Sequence, residues 1–139
     1  MKILTWTPVL FCIAAVFPAY AVKLEPKDYP PVPAEVSMFA DENAPRGFSF
    51  QSSYGFPFYV SDQDTKDKSN CVGSCAETWA PLKARDDATP MSKDWSLVAR
   101  PEGYKQWAWR GQPIYINMTQ VLGGTLTLPK NSPWHPLVP

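Results

Sequence analysis

Proline recurs throughout this chain and limits the regular structure that it can form. The sequence has 16 prolines among 139 residues. A proline inside a helix removes a backbone hydrogen bond and clashes with the preceding turn. Long helices are therefore disfavoured, and short strands and turns are favoured. We predict a small, mainly β (small α+β) fold of antiparallel hairpins with one short helix.

The first 21 residues have the layout of a signal peptide. Lys2 precedes an apolar run over residues 3–17, and the small-residue pattern A-Y-A follows, ending at Ala21. The run is shorter than the roughly 20 residues that a membrane span needs. We expect cleavage after Ala21 and a periplasmic or secreted product with no transmembrane segment. The bulky Phe11 precedes Cys12, which disfavours a lipid anchor there.

The mature chain would have 118 residues, which is the full 139 less the 21 of the leader. Its charges nearly balance, because removing Lys2 leaves 12 basic side chains against 13 acidic ones. No basic stripe is available for nucleic acid, and no polybasic segment for a membrane surface. We expect a proline-rich extended arm over residues 22–45, with a short strand near residues 35–40, and one small β-rich domain over residues 46–139.

Two cysteines remain after cleavage, Cys71 and Cys75. An even number of cysteines in an exported chain favours a disulfide, because the compartment is oxidising. The four-residue spacing closes if the segment forms a turn or one helical turn, with Cα atoms about 6 Å apart. It does not fit haem attachment or thioredoxin-like chemistry, both of which use C-x-x-C. A metal or redox role and free thiols remain the alternatives, and a disulfide here would position Trp79.

Apolar side chains alternate in two stretches, as expected for half-buried strands. In the first stretch a tight turn at Gly55 separates two strands, and the expected inward residues are Phe48, Phe50, Tyr54, Phe56, Phe58 and Val60. The second stretch belongs to a three-strand meander over residues 94–117, with turns at residues 101–103 and 110–111.

The two stretches resemble one another. Residues 54–60 ("YGFPFYV") align with residues 110–116 ("RGQPIYI") at an offset of 56 residues, so that glycine, proline and tyrosine coincide. This weak repeat predicts two similar hairpins that pack their aromatic faces together. A chance match is the alternative, because the aligned stretch is short.

These segments resemble a family of small predicted lipoproteins and secreted proteins with a Y-x-[FWY]-x-x-D motif, a secreted repeat of unknown function. The resemblance covers residues 46–139 and lies in "FYVSDQDTKDKSNCVGSCAETWAPL", "WSLVARPEGYKQWAWRGQPIY" and the terminal "WHPLVP". It departs at Ser61, where the family has an aromatic residue, and at Ala80, where it has proline. It implies an exported location and no established activity. The motif positions it implies are Tyr59, Asp64, Cys71, Cys75, Trp79, Trp107, Gly111, Pro113 and Tyr115.

Few residues suggest a catalytic or metal-binding role. His135 is the one histidine, and no catalytic motif surrounds it. His135 and Met118 are weak candidates for a metal site, because soft and imidazole ligands suit copper outside the cytoplasm. Asp64 is expected to bond backbone N–H groups at the turn before the cysteines. We expect no catalytic residue and no cofactor.

We therefore predict an exported envelope protein that is not an enzyme and has a structural or interaction role with an unknown partner. The alternative is a periplasmic binding module for a small ligand, a metal or a haem-like group.

Overall fold

The computed structural model describes residues 29–139, so the predicted signal peptide and its cleavage site lie outside the described residues. The described part is mainly antiparallel β, which confirms the predicted fold class. It contains two short helices where one was predicted. In chain order the elements are β1 (Val36–Ala40), β2 (Phe48–Ser52), β3 (Tyr59–Ser61), α1 (Ser74–Thr78), β4 (Trp79–Pro81), β5 (Trp95–Ala99), β6 (Lys105–Trp109), β7 (Gln112–Pro113), β8 (Tyr115–Asn117), α2 (Met118–Val121) and β9 (Trp134–Pro136).

Two antiparallel meanders contain five of the strands. In the first, β1 pairs with β2, and a single bridge from Gln51 to Pro57 extends it. In the second, β5 pairs with β6, and β6 pairs with β7 through the tight turn at Arg110 and Gly111. The strand expected near residues 35–40 is therefore present as β1. Although it falls in the proline-rich segment 22–45, its first residue, Val36, is buried in the core.

A four-stranded sheet joins the two meanders, with the strand order β4–β8–β3–β9. Its centre is the antiparallel pair β3 and β8, in which Tyr59 lies opposite Tyr115. These two tyrosines are the ones that coincide in the 56-residue sequence alignment. Because equivalent residues face each other across antiparallel strands, an approximate two-fold axis passes between them.

The outer strands of this sheet are exchanged between the two halves of the chain. The first half contributes β4, which pairs with β8 of the second half, and the second half contributes β9, which pairs with β3 of the first. The strands carry matching sequences, "WAPL" over residues 79–82 and "WHPL" over residues 134–137. The following leucines make matching bonds, because Leu82 N–H donates to Ile114 O and Leu137 N–H donates to Phe58 O.

The first predicted hairpin is present only at its turn. Ser52 and Phe56 exchange hydrogen bonds around Gly55, after which β3 leaves the meander and joins the central sheet. The expected inward face is also only partly found, since Phe58 and Val60 are buried but Tyr54 is 87% exposed at the tip of the turn. The alternation of apolar residues identified β3 as a strand but did not identify the strands with which it pairs.

Two aromatic clusters form the interior. The larger one lies between the meanders, where Phe50 packs on Trp95 and Trp109 with ring centroids 5.4 and 4.9 Å apart. The smaller one lies on the central sheet and comprises Tyr59, Cys71, Trp79, Tyr115 and Trp134. Within it, the rings of Trp79 and Trp134 stack with centroids 4.1 Å apart and an interplanar angle of 8°. The exchanged strands thus contribute one tryptophan each to a single stack.

Replacing Trp134 by alanine should destabilise the fold strongly. The change removes a buried ring that stacks on Trp79 and packs edge-on against Tyr115. We expect a loss of about 3 kcal/mol or more in the free energy of unfolding, measured by urea denaturation with the disulfide intact. Leu122→Ala is the control. Leu122 is 83% exposed, so its replacement should change stability by less than about 0.5 kcal/mol. Similar losses in both variants would contradict a structural role for the stack.

Candidate functional site

The segment from β3 to β4 carries most of the residues singled out in the sequence. Cys71 and Cys75 form a disulfide with their Cα atoms 5.2 Å apart, which confirms the predicted pairing. The link spans the start of α1, and Cys71 lies against the backbone of Trp79 in the smaller aromatic cluster. By the loop-entropy relation so short a loop stabilises the fold by only about 2 kcal/mol. Its larger effect is local, because it fixes the backbone that leads into β4.

A buried tyrosine ties this segment to the second half of the chain. Tyr115 is fully buried. Its hydroxyl donates to Asp64 Oδ2 at 2.6 Å and lies 2.6 Å from Ser69 Oγ. The other oxygen of Asp64 accepts from the N–H of Asn70 at 2.7 Å. Both carboxylate oxygens of Asp64 therefore hold the loop that precedes the disulfide.

Arg100 completes this network, and sequence reasoning missed it. Its side chain is fully buried and donates to Ser69 Oγ, Gln106 Oε1 and the carbonyl of Cys71 at 2.8–2.9 Å. It also pairs with Glu102 at 2.8 Å, and its hydrogen bond holds the pKa of that carboxyl below the ordinary value. A buried guanidinium needs partners for all of its donors, and here it joins the meander to the disulfide loop.

The remaining motif residues lie in the larger aromatic cluster or at the turn from β6 to β7. Trp107 lies in the larger aromatic cluster, and its indole N–H donates to Glu35 Oε2 at 3.2 Å. Pro113 is buried in β7, at the end of a sheet where its missing N–H breaks no ladder. Gly111 has φ of 81°, in the left-handed region that glycine tolerates best.

The two weak metal candidates lie in different places. Met118 begins α2, directly after β8, whereas His135 lies in β9 opposite Val60. His135 Nε2 is 2.7 Å from Asp62 Oδ1, and both side chains are largely exposed. Across residues 29–139 no three His, Cys, Asp or Glu side chains gather in a way that could hold a metal ion.

A cleft lies beside this network, between the loop after β3 and the turn from β6 to β7. It has a volume of about 380 Å³, and charged side chains of both signs line it: Asp62, Asp64, Lys66 and Arg110. Lys66 packs directly on the turn, since a Cβ built on Gly111 would lie 2.7 Å from Lys66 Cγ. Glycine is thus favoured at position 111 for two reasons: the backbone has positive φ, and Lys66 leaves no room for a Cβ atom.

Comparison with known proteins gives one match. Residues 45–83 match a secreted repeat of unknown function. This confirms the resemblance to that family over these residues; the motif positions Trp107, Gly111, Pro113 and Tyr115 lie outside the match. The match to the secreted repeat runs from just before β2 to just after β4 and includes the disulfide, Asp64 and one wall of the cleft. No curated protein and no solved structure matches the chain.

Within the described part, no helix combines the length and the apolar character that crossing a membrane requires.

The free energy of unfolding should fall at alkaline pH because of the Tyr115 network. Burial, and then the hydrogen bond to Asp64, raise the pKa of Tyr115 well above its ordinary value of 10.0. A raised folded-state pKa contributes stability that is complete below pH 10 and is lost as the pH rises further, because only the unfolded chain then ionises this phenol. We expect urea denaturation between pH 8 and 11.5 to show this decline in the wild type.

Tyr115→Phe should abolish that decline and, at pH 8, cost about 1–3 kcal/mol, because Asp64 and Ser69 lose a buried partner. Tyr54→Phe is the control, since Tyr54 is 87% exposed. It should retain both the stability and the pH dependence. A variant Tyr115→Phe that declines like the wild type would show that another group is responsible.

Gly111→Ala should cost more than the same change at Gly103. Both glycines have positive φ, but the space around Gly103 is open, whereas Lys66 fills the space around Gly111. We expect about 1 kcal/mol for Gly103→Ala from the backbone conformation alone, and about 2–3 kcal/mol for Gly111→Ala with the added contact. Adding Lys66→Ala to Gly111→Ala should bring the cost near that of Gly103→Ala. Equal costs for the two single variants would contradict the close approach.

Proposed function

We propose that this chain is an exported, periplasmic or secreted domain of the cell envelope that acts through structural support or interaction and not as an enzyme. Three features support an exported role: the signal-peptide pattern of residues 1–21, the disulfide, and the match to a secreted repeat. A disulfide of this kind persists in an oxidising compartment.

One observation carries the non-enzymatic part of the proposal. The polar side chains that the sequence brought forward are already bonded within the fold. Tyr115 and Asp64 bond each other. Arg100, which the sequence did not single out, also has partners for its donors. His135 bonds the carboxylate of Asp62, but no hydroxyl or thiol among the described residues hydrogen bonds to His135. A nucleophile–base pair of the kind used in covalent catalysis needs such a contact.

A second candidate is a binding module for a small ligand, and the cleft between residues 61–66 and 110–113 favours it. The cleft lies at the small end of the 300–1,000 Å³ range that is typical of ligand pockets. Its walls come from a rigid hydrogen-bonded loop and a tight turn, so the site is largely formed before any ligand arrives.

Cell fractionation tests the exported role. The full chain, expressed in a bacterium with an outer membrane, should appear in the osmotic-shock fraction or the medium. Its mass should correspond to a start at Val22, lower by two hydrogens than the reduced form. A variant that lacks residues 2–21 should stay in the cytosol and serves as the control. Recovery of the full-length chain from the cytosol with both thiols alkylatable would overturn the proposal. Metal analysis of the exported protein would reveal the metal or haem-like form of the second candidate.

A further inference from the structure

The cleft beside the disulfide loop is lined by side chains of both charges. Lys66 belongs to the loop, but its stem packs on the turn that carries Arg110, whereas Asp62 of the same loop bonds His135 of β9. The cleft also includes Asp64, so two cationic and two anionic side chains line it. A simple anion would meet two carboxylates there, and a simple cation would meet two positive groups.

The positive end retains hydrogen-bond donors. Lys66 makes no ion pair with any residue in the range 29–139, while its stem is held against Gly111. Arg110 bonds Asp94 through Nε at 3.1 Å, and its terminal nitrogens make no hydrogen bond to the described residues. The Arg110 side chain is half exposed, so these donors can reach a ligand.

The backbone at Arg110 is unusual for that residue type. Arg110 has φ of 49° and Gly111 has φ of 81°, the combination of a two-residue hairpin turn whose first position favours Asn, Asp or Gly. An arginine in this left-handed conformation is strained, and such strain concentrates at functional sites. Part of the strain is offset by Asp94 and by the Trp109 ring, whose centroid lies 5.2 Å from the guanidinium carbon. The turn therefore keeps a cation beside the cleft at a position where Asn, Asp or Gly would be less strained.

The negative end retains an acceptor. Asp62 is 67% exposed in its side chain and uses Oδ1 for His135. Its Oδ2 accepts no hydrogen bond from the described residues. Its backbone N–H is fixed to Pro133 O at 2.8 Å, so the loop holds this carboxylate in place. Asp64, by contrast, uses both oxygens inside the network.

We propose that this cleft binds a small zwitterion, an amino acid or a dipeptide. The ligand carboxylate is held by Lys66 and Arg110, and the ligand ammonium by Asp62. The proposal rests on the small-ligand candidate above and adds the chemical class of the ligand. Its physical basis is charge complementarity at both ends: a ligand that carries both charges satisfies the free donors and the free acceptor together.

Calorimetric titration of the mature, disulfide-bonded chain tests this proposal with three matched probes. Alanyl-alanine carries both charges, N-acetyl-alanyl-alanine only the carboxylate, and alanyl-alanine amide only the ammonium. We expect alanyl-alanine to bind with a dissociation constant below about 1 mM. Each blocked probe should bind about fivefold more weakly, which is the upper range for one exposed ion pair.

Two variants test which residue holds the ligand carboxylate and which holds the ligand ammonium. Lys66→Gln should weaken alanyl-alanine about fivefold and leave the amide probe unchanged. Asp62→Asn should weaken alanyl-alanine and leave the N-acetyl probe unchanged. Lys130→Gln, at an exposed position outside the cleft, should change none of the three affinities.

Three results would overturn the proposal: no saturable binding of alanyl-alanine, equal binding of all three probes, or an unchanged affinity in both cleft variants. If Asp62→Asn fails to fold, the comparison of the three probes on the wild-type protein still tests whether the cleft binds a zwitterion. Failure here would leave the fractionation result, and with it the exported role, intact.

Discussion

The antiparallel pairing of β3 with β8 holds this molecule together. Each half of the chain builds its own meander, but neither completes the central sheet alone, because β4 pairs with β8 and β9 pairs with β3. The fold therefore depends on contacts between residues far apart in the sequence, such as the opposition of Tyr59 and Tyr115. Loop-closure entropy opposes such pairings until both partners are in place. The two halves should accordingly form in one cooperative step.

The approximate symmetry also shows where the two halves differ. Equivalent strands deliver Trp79 and Trp134 to the same stack, yet only the first half has a disulfide before its tryptophan. In the second half, the partly buried Leu126 and Leu128 occupy the corresponding stretch and pack on the same cluster. A covalent link in one half and apolar side chains in the other thus support the same aromatic pair. The polar loop over residues 61–71 is found only in the first half, and it forms one wall of the cleft.

Local patterns predicted the elements of the fold and the disulfide well. Alternating aromatics located β2 and β6, glycines located the turns, and the spacing of Cys71 and Cys75 in an exported chain predicted their link. The partner of β3 could not be read from the sequence, because the choice between β2 and β8 depends on burial against residues over 50 positions away. Tyr54 shows the same limit, since period-two alternation placed it inward while its position at the turn exposes it.

The buried hydrogen-bond network around Arg100 could not be predicted from the sequence for a similar reason. Arg100 precedes a proline and a glycine turn, where a charged residue is ordinarily exposed, and its burial depends on Ser69 and the carbonyl of Cys71. The cleft likewise needs two segments separated by more than 40 residues. Sequence reasoning named Asp64 and Gly111 but had no means of bringing the two walls together.

The loop over residues 61–71 supports the interior with its inward side chains and lines the cleft with its outward ones. Its inward side chains, Asp64 and Ser69, bond Tyr115 and Arg100 in the interior, and its outward side chains, Asp62 and Lys66, line the cleft. The inward bonds hold the backbone that carries the outward charges before any ligand arrives. Sites supported by such a bonded interior lose less conformational entropy on binding than sites on loose loops. The network that occupies both oxygens of Asp64 thus also supports the backbone that carries Asp62 and Lys66.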